Sequence, residues 1–162
     1  MASIGPWAAR SVATFGFVGQ IPGAPGTYAS AIVLAAWLLI PPIPIWIALV
    51  IWGLIVLAGV WAAGLMESRL GHDDGRVVID EVAGALLTVA GFAATPWIAI
   101  AGFVLFRALD ILKPPPIYQL QALPGGIGVM ADDIAAGLAG NILLRLLTAL
   151  IPAIASAFPG GW

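Results

Sequence analysis

Eight carboxylates, six cations and one histidine make up nearly all the chemistry-bearing side chains of this 162-residue sequence, and twelve of the fourteen charges fall in three short groups. The first group runs from Glu67 to Glu81 and holds Arg69, Asp73, Asp74, Arg76 and the adjacent pair Asp80-Glu81. The second is Arg107, Asp110 and Lys113, and the third is Asp132-Asp133. Acidic pairs beside helix starts have an ordinary reading as caps that answer free N–H groups and the helix dipole. Five carboxylates brought together (Asp80, Glu81, Asp110, Asp132 and Asp133) repel one another unless a cation binds them, and hard oxygen ligands without sulfur suit Mg²⁺. Arg107, Asp110 and Lys113 recur at i, i+3 and i+6, on one face of a helix, where a salt bridge is the plainer reading. A phosphate held by an Arg fork and a Lys point charge is the chemical one. Gly125, Gly126 and Gly128 could turn backbone N–H groups toward the same anion. His72, the sole imidazole, fits a proton donor, a metal ligand or a solvated loop residue.

The stretches between these groups must position them. Residues 11–66 and 82–106 carry no charge at all, and 134–162 carry only Arg145. About 20 apolar residues suffice to cross a bilayer, so length and content assign these stretches to the membrane. Proline and glycine then divide them. The pattern predicts a loop at Pro22–Gly26, a helix capped by Thr27 or Ser30 and running to about Ile40, a stop at Pro41, Pro42 and Pro44, and a long helix from Ile45 to about Met66. Two helices, from Asp80 to about 94 and from 97 to about 112, are expected to join at Thr95-Pro96. A glycine-rich loop then leads to Asp132, and Asp133 opens a last helix ending near Ile151.

Counting passes through the bilayer returns all three charged groups to one face and both uncharged turns to the other. Five of the six cations share the charged face, which the positive-inside rule makes cytoplasmic. The expected fold is an all-α membrane bundle of about five short transmembrane or half-inserted helices, one domain over residues 1–162. Gly59 with Ala63, Gly84 with Thr88 and Gly137 with Gly140 suit close helix packing. Arg145 is expected to reach toward the far interface or to pair within the bundle.

Composition supports this reading and excludes others. The chain is 62% hydrophobic and 9% charged, with a net charge of −2; a soluble domain carries about 25% charged residues. No basic run points to nucleic acid, and the absence of cysteine excludes disulfides and thiolate chemistry. Residues 1–24 carry one Arg and a weak apolar region broken by Gly and Pro, so a cleaved signal peptide is not expected there.

Four blocks resemble one known family. They are Pro22-Gly-Ala-Pro-Gly-Thr27 with Ser30; His72-Asp-Asp-Gly75 with Val78-Ile-Asp-Glu-Val-Ala-Gly84; Phe106-Arg-Ala-Leu-Asp-Ile-Leu-Lys-Pro-Pro-Pro-Ile117; and Gly125-Gly-Ile-Gly-Val-Met-Ala-Asp-Asp-Ile-Ala-Ala-Gly137. In this order they resemble the phosphatidylglycerophosphatase A family over nearly the whole chain. One departure is Pro124, where relatives carry a histidine before the paired glycines. The resemblance implies Mg²⁺-dependent hydrolysis of the lipid phosphatidylglycerophosphate in the cytoplasmic leaflet of the inner membrane, within phospholipid synthesis. It implies metal ligands at Asp80, Glu81, Asp132 and Asp133, and catalytic parts for His72, Asp74, Asp110 and Lys113. Phosphate contacts fall to Arg107, Lys113, Thr27, Gly125 and Gly126, and Asp110 is either a further ligand or the group that orients Lys113. Direct attack by water is expected, since no Asp-x-Asp-x-Thr pattern offers a phosphorylated aspartate. Two other classes remain to be set against this one. A CDP-alcohol phosphotransferase would need Asp-Gly-x-x-Ala-Arg, whereas Asp74-Gly75 is followed by Arg76-Val-Val. A cation carrier would need charges near the bilayer midplane. Oligomeric state is not legible.

Overall fold

The computed structural model describes residues 4–70 and 74–150. Among them are seven α-helices, one short 3-10 turn at Val18–Gln20, and no strand. The helices are α1 (Ile4–Ala13), α2 (Pro25–Leu39), α3 (Ile45–Leu70), α4 (Ile79–Thr88), α5 (Pro96–Leu112), α6 (Ile117–Leu120) and α7 (Gly126–Leu150).

Proline sets most boundaries. Pro25 opens α2 at a position where its missing N–H costs nothing, and the prolines at 41, 42 and 44 separate α2 from α3. Pro96 opens α5 behind Thr95, whose hydroxyl oxygen accepts from the Ile98 N–H at 3.4 Å. Lys113 closes α5 in a left-handed conformation, φ 42°, immediately before Pro114, Pro115 and Pro116.

Several boundaries differ from expectation. Neither Thr27 nor Ser30 caps α2: the cap is Ala24 with no side-chain bond, and Ser30 Oγ donates back to the Gly26 carbonyl at 2.7 Å. Helix α4 ends at Thr88 rather than near 94, because Asn141 of α7 donates to the carbonyls of Leu87, Thr88 and Ala90 and Gly91 turns at φ 78°. Helix α7 starts at Gly126, so the supposed glycine loop is its first turn. Asp132 and Asp133 therefore lie in its second turn and do not cap it. Helix α1 was not anticipated; it packs on α3, and the Ala13 carbonyl accepts from the Val78 N–H at 2.8 Å.

Among the described residues two helices, α3 over Ile45–Ser68 and α7, are long and apolar enough to cross a membrane, and α2 is a shorter apolar helix. The exterior is apolar along α3, where Leu54 is 61% and Leu57 69% exposed. Water would charge for that surface at about 25 cal/mol per Å². The buried core lies where α7 meets α3, α4 and α5.

Candidate active site

The site exists because α4 and α7 cross unusually closely. A Cβ on Gly137 would stand 2.4 Å from the Gly84 carbonyl oxygen, and one on Gly84 would stand 2.6 Å from the Asp133 carbonyl oxygen. Thr88 Oγ1 bridges the crossing, lying 3.0 Å from the Gly84 carbonyl and 3.3 Å from that of Gly137. The small residues expected at helix contacts thus do pack there. Their closeness sets the first turn of α4, with Asp80 and Glu81, against the second turn of α7.

One oxygen each from Asp80, Glu81 and Asp133 falls within 4.8 Å of the others. Asp80, Asp110, Asp132 and Asp133 each keep 8% or less of their surface exposed. Burial raises the Asp80 carboxyl well above its usual range, and the charges of Glu81 and Asp133 add to that; burial also raises Glu81. Glu81 Oε2 and Asp133 Oδ2 are buried with no hydrogen-bond partner. Three carboxylates with oxygens within 4.8 Å of one another, two of them carrying a buried unpartnered oxygen, make a donor set for a hard divalent cation, so these residues fit one.

Two cations border the acids. Arg107 Nη1 donates to Asp110 Oδ2 at 2.5 Å and lies 3.8 Å from Glu81 Oε1, while its Nε is buried without a partner. The i, i+3 salt bridge of the plain reading is therefore present. Lys113 makes an ion pair with another helix. Its left-handed backbone turns the side chain across to α7, where Nζ donates to Asp132 Oδ2 at 2.6 Å. Asp110 is thus paired with Arg107 within α5.

The start of α2 closes the site on another side. A Cβ on the buried Gly26 would fall 1.9 Å from Glu81 Oε1 and 3.2 Å from Arg107 Nη1. Gly26 is thus part of the site beside Thr27; its place directly after Pro25 in the Pro22–Thr27 block is the signal the sequence offers. The N–H groups opening α2 add partial positive charge beside Glu81. Gly125 and Gly126 are brought to the same end of the bundle, yet their nearest neighbours belong to α3. A Cβ on Gly126 would meet the Val60 carbonyl at 2.0 Å, and one on Gly125 would lie 3.9 Å from Glu67 Oε2.

Asp74 stands apart from the cluster. Its carboxylate accepts from Arg76 Nε at 2.8 Å, Arg76 Nη2 at 2.7 Å and the Arg76 N–H at 3.0 Å, which holds the turn entering α4. Hydrogen bonding to Arg76 keeps the Asp74 carboxyl below its ordinary range. His72 lies outside the described residues. Arg145 pairs within the bundle at the opposite end. It donates to Asn141 Oδ1 at 2.9 Å and the Ala90 carbonyl at 3.0 Å, and covers the Phe92 ring at 4.8 Å.

Comparison with known proteins agrees with this geometry. Residues 11–148 match the sequence pattern of the family described as phosphatidylglycerophosphatase A. A Bacteroides thetaiotaomicron protein provisionally named a phosphatidylinositol-3-phosphatase is 40% identical over 136 residues, covering 79% of this chain and 86% of its own. Phosphatidylglycerophosphatase A of Escherichia coli is 36% identical over 135 residues, covering 82% of this chain and 77% of its own. Its namesake in Haemophilus influenzae is 35% identical over 130 residues, covering 78% and 80%. No solved structure matches. The chain, with its buried acidic cluster flanked by Arg107 and Lys113, belongs to the phosphatidylglycerophosphatase A family.

Proposed function

We propose that this protein is a membrane-embedded, Mg²⁺-dependent lipid phosphatase that hydrolyses phosphatidylglycerophosphate to phosphatidylglycerol and inorganic phosphate. Helices α3 and α7 cross the inner membrane, the shorter helices insert beside them, and the site faces the cytoplasm. The observation that carries the reading is the meeting of Asp80, Glu81 and Asp133 within 4.8 Å, two of them with a buried unpartnered oxygen, beside two cations suited to phosphate.

In this reading Asp80, Glu81 and Asp133 hold the ion, and Asp132 serves chiefly to anchor Lys113. When bound, Mg²⁺ supplies Lewis-acid neutralisation of the phosphoryl oxygens. Arg107 and Lys113 bind the remaining phosphate oxygens and answer the charge that spreads over them in the transition state. Thr27 and the free N–H groups at the starts of α2 and α7, including those of Gly125 and Gly126, add hydrogen bonds to the same anion. Water adds to phosphorus in line as the bond to the glycerol oxygen breaks, and His72 gives that oxygen its proton. Asp74 acts through Arg76, fixing the turn between His72 and α4.

The relative with 40% identity supports a second substrate, a phosphoinositide 3-phosphate, for the same site. Release of inorganic phosphate by purified protein from phosphatidylglycerophosphate, phosphatidate and phosphatidylinositol 3-phosphate separates the readings. A preference for the first substrate supports the proposal. Equal or greater turnover of phosphatidylinositol 3-phosphate overturns it in favour of the second.

A further inference from the structure

Helices α2 and α5 each give one end to the site, α2 its start and α5 its finish. They also run antiparallel: Gly26 lies beside Arg107, whereas Leu38 and Pro96 line the opposite end of a common groove. That groove holds about 290 Å³, and every side chain lining it is apolar. Its floor is Leu34 and Ala99, 2% and 7% exposed, and the small side chains of Ala31 and Ala35 keep it open.

The position of the groove says what it is shaped for. Its nearest residues, Ala31 and Phe103, stand four positions from Thr27 and Arg107 respectively, about 6 Å along each helix. From there to Leu38 it follows α2 away from the charges for about 10 Å. A phosphate site at one end, one helical turn of separation, and then an apolar channel reproduce the order of parts in a glycerophospholipid. A helix contact intended only for packing would fill this space, because a void forfeits dispersion contacts on both walls.

We propose that the α2–α5 groove is the acyl-chain subsite, holding one fatty chain of the lipid whose phosphate binds at Arg107 and Lys113. This rests on the lipid-phosphatase reading above and extends it to how the enzyme selects a membrane lipid over a soluble phosphomonoester. Bulk lipid covers the rest of the apolar exterior without preference, whereas the groove takes the chain tethered to the bound head group.

The test uses full-length protein in phosphatidylcholine nanodiscs. Phosphatidylglycerophosphate with a photoreactive group midway along one acyl chain is compared with phosphatidylcholine carrying the same chain, and labelled residues are mapped by mass spectrometry. The first probe is expected to label the 31–38 and 96–103 segments at least tenfold over the second, and Ala35→Phe should abolish the excess. Equal labelling by both probes overturns the subsite. In parallel, Ala35→Phe should lower kcat/KM about tenfold for the long-chain substrate and leave glycerol 3-phosphate hydrolysis unchanged, as expected when a hydrophobic pocket is filled. An equal loss on both substrates, or none on either, also overturns it. Wild-type protein that releases no phosphate would refute the proposed function, while labelling would still decide the groove.

Discussion

The close crossing of α4 and α7 makes Gly137→Ala the sharpest perturbation of the site that leaves every charged residue in place. The new Cβ would stand 2.4 Å from the Gly84 carbonyl oxygen and 3.0 Å from Gly84 Cα. Backbone cannot rotate away as a side-chain tip can, so the helices must separate by about 1 Å to restore ordinary contact. The carboxylate oxygens already span up to 4.8 Å. Mg²⁺ would demand near-ideal octahedral geometry with short bonds, so oxygens already spread this far would tolerate little further separation and another ångström of opening should defeat binding. Displaced support of this kind typically costs about 10–100-fold in metal affinity or activity. The overpacking itself costs about 1–3 kcal/mol, partly offset by about 1 kcal/mol of helix propensity gained from glycine to alanine. Activity therefore decides the matter, not melting temperature. Phosphate release should fall at least tenfold with helical circular dichroism retained, and the half-saturating Mg²⁺ concentration should rise. Gly53→Ala, which meets nothing within 4 Å on α3, should keep full activity. Wild-type turnover and Mg²⁺ dependence in Gly137→Ala would refute the claim that this crossing assembles the site.

Three further outcomes follow from the same contacts. Asp133→Asn should abolish activity yet raise the melting temperature in chelator by about 2–4 °C, the shift given by about 1 kcal/mol of relieved repulsion; a lower melting temperature would show that the acids do not strain the apo protein. Lys113→Ala removes the ion pair to Asp132 and a phosphate contact, so KM should rise at least tenfold in steady-state assays; unchanged KM and kcat would take Lys113 out of the site. Asn141→Leu removes the side-chain donor at the end of α4, leaving the Thr88 carbonyl unanswered while Ala90 keeps Arg145, and should destabilise the fold by about 1–3 kcal/mol in denaturant titration, with little change in the activity of the folded fraction.

Sequence alone disclosed the parts of the site better than their connections. Clustered charge between long apolar stretches foretold that Glu81, Arg107 and Asp133 would meet at one end of the bundle, because each helix reverses the chain. The pairs Gly84 with Thr88 and Gly137 with Gly140 foretold close packing for the same local reason. Tertiary contact decided the rest. Glycine propensity argues against a helix at 126–128, yet the Val60 carbonyl lies where a Gly126 side chain would be, so only glycine lets α7 begin against α3. Helical periodicity pairs Lys113 with Asp110, but the left-handed residue at 113 carries that side chain to Asp132. Nothing local marks Asn141 as the cap of a helix more than fifty residues earlier. Apolar composition marks which segments avoid water, but only α3 and α7 are also long enough to cross by themselves, so composition alone does not say how the shorter helices sit in the bilayer.

The most direct test of the acidic cluster as the seat of catalysis is inorganic phosphate release from phosphatidylglycerophosphate while Mg²⁺ is titrated into metal-stripped protein, wild type beside Asp80→Asn. Saturable activation of the wild type from a negligible baseline, absent in the variant at every concentration, is the predicted result. Full turnover of the wild type in chelator, or an Asp80→Asn titration within twofold of wild type, would contradict it.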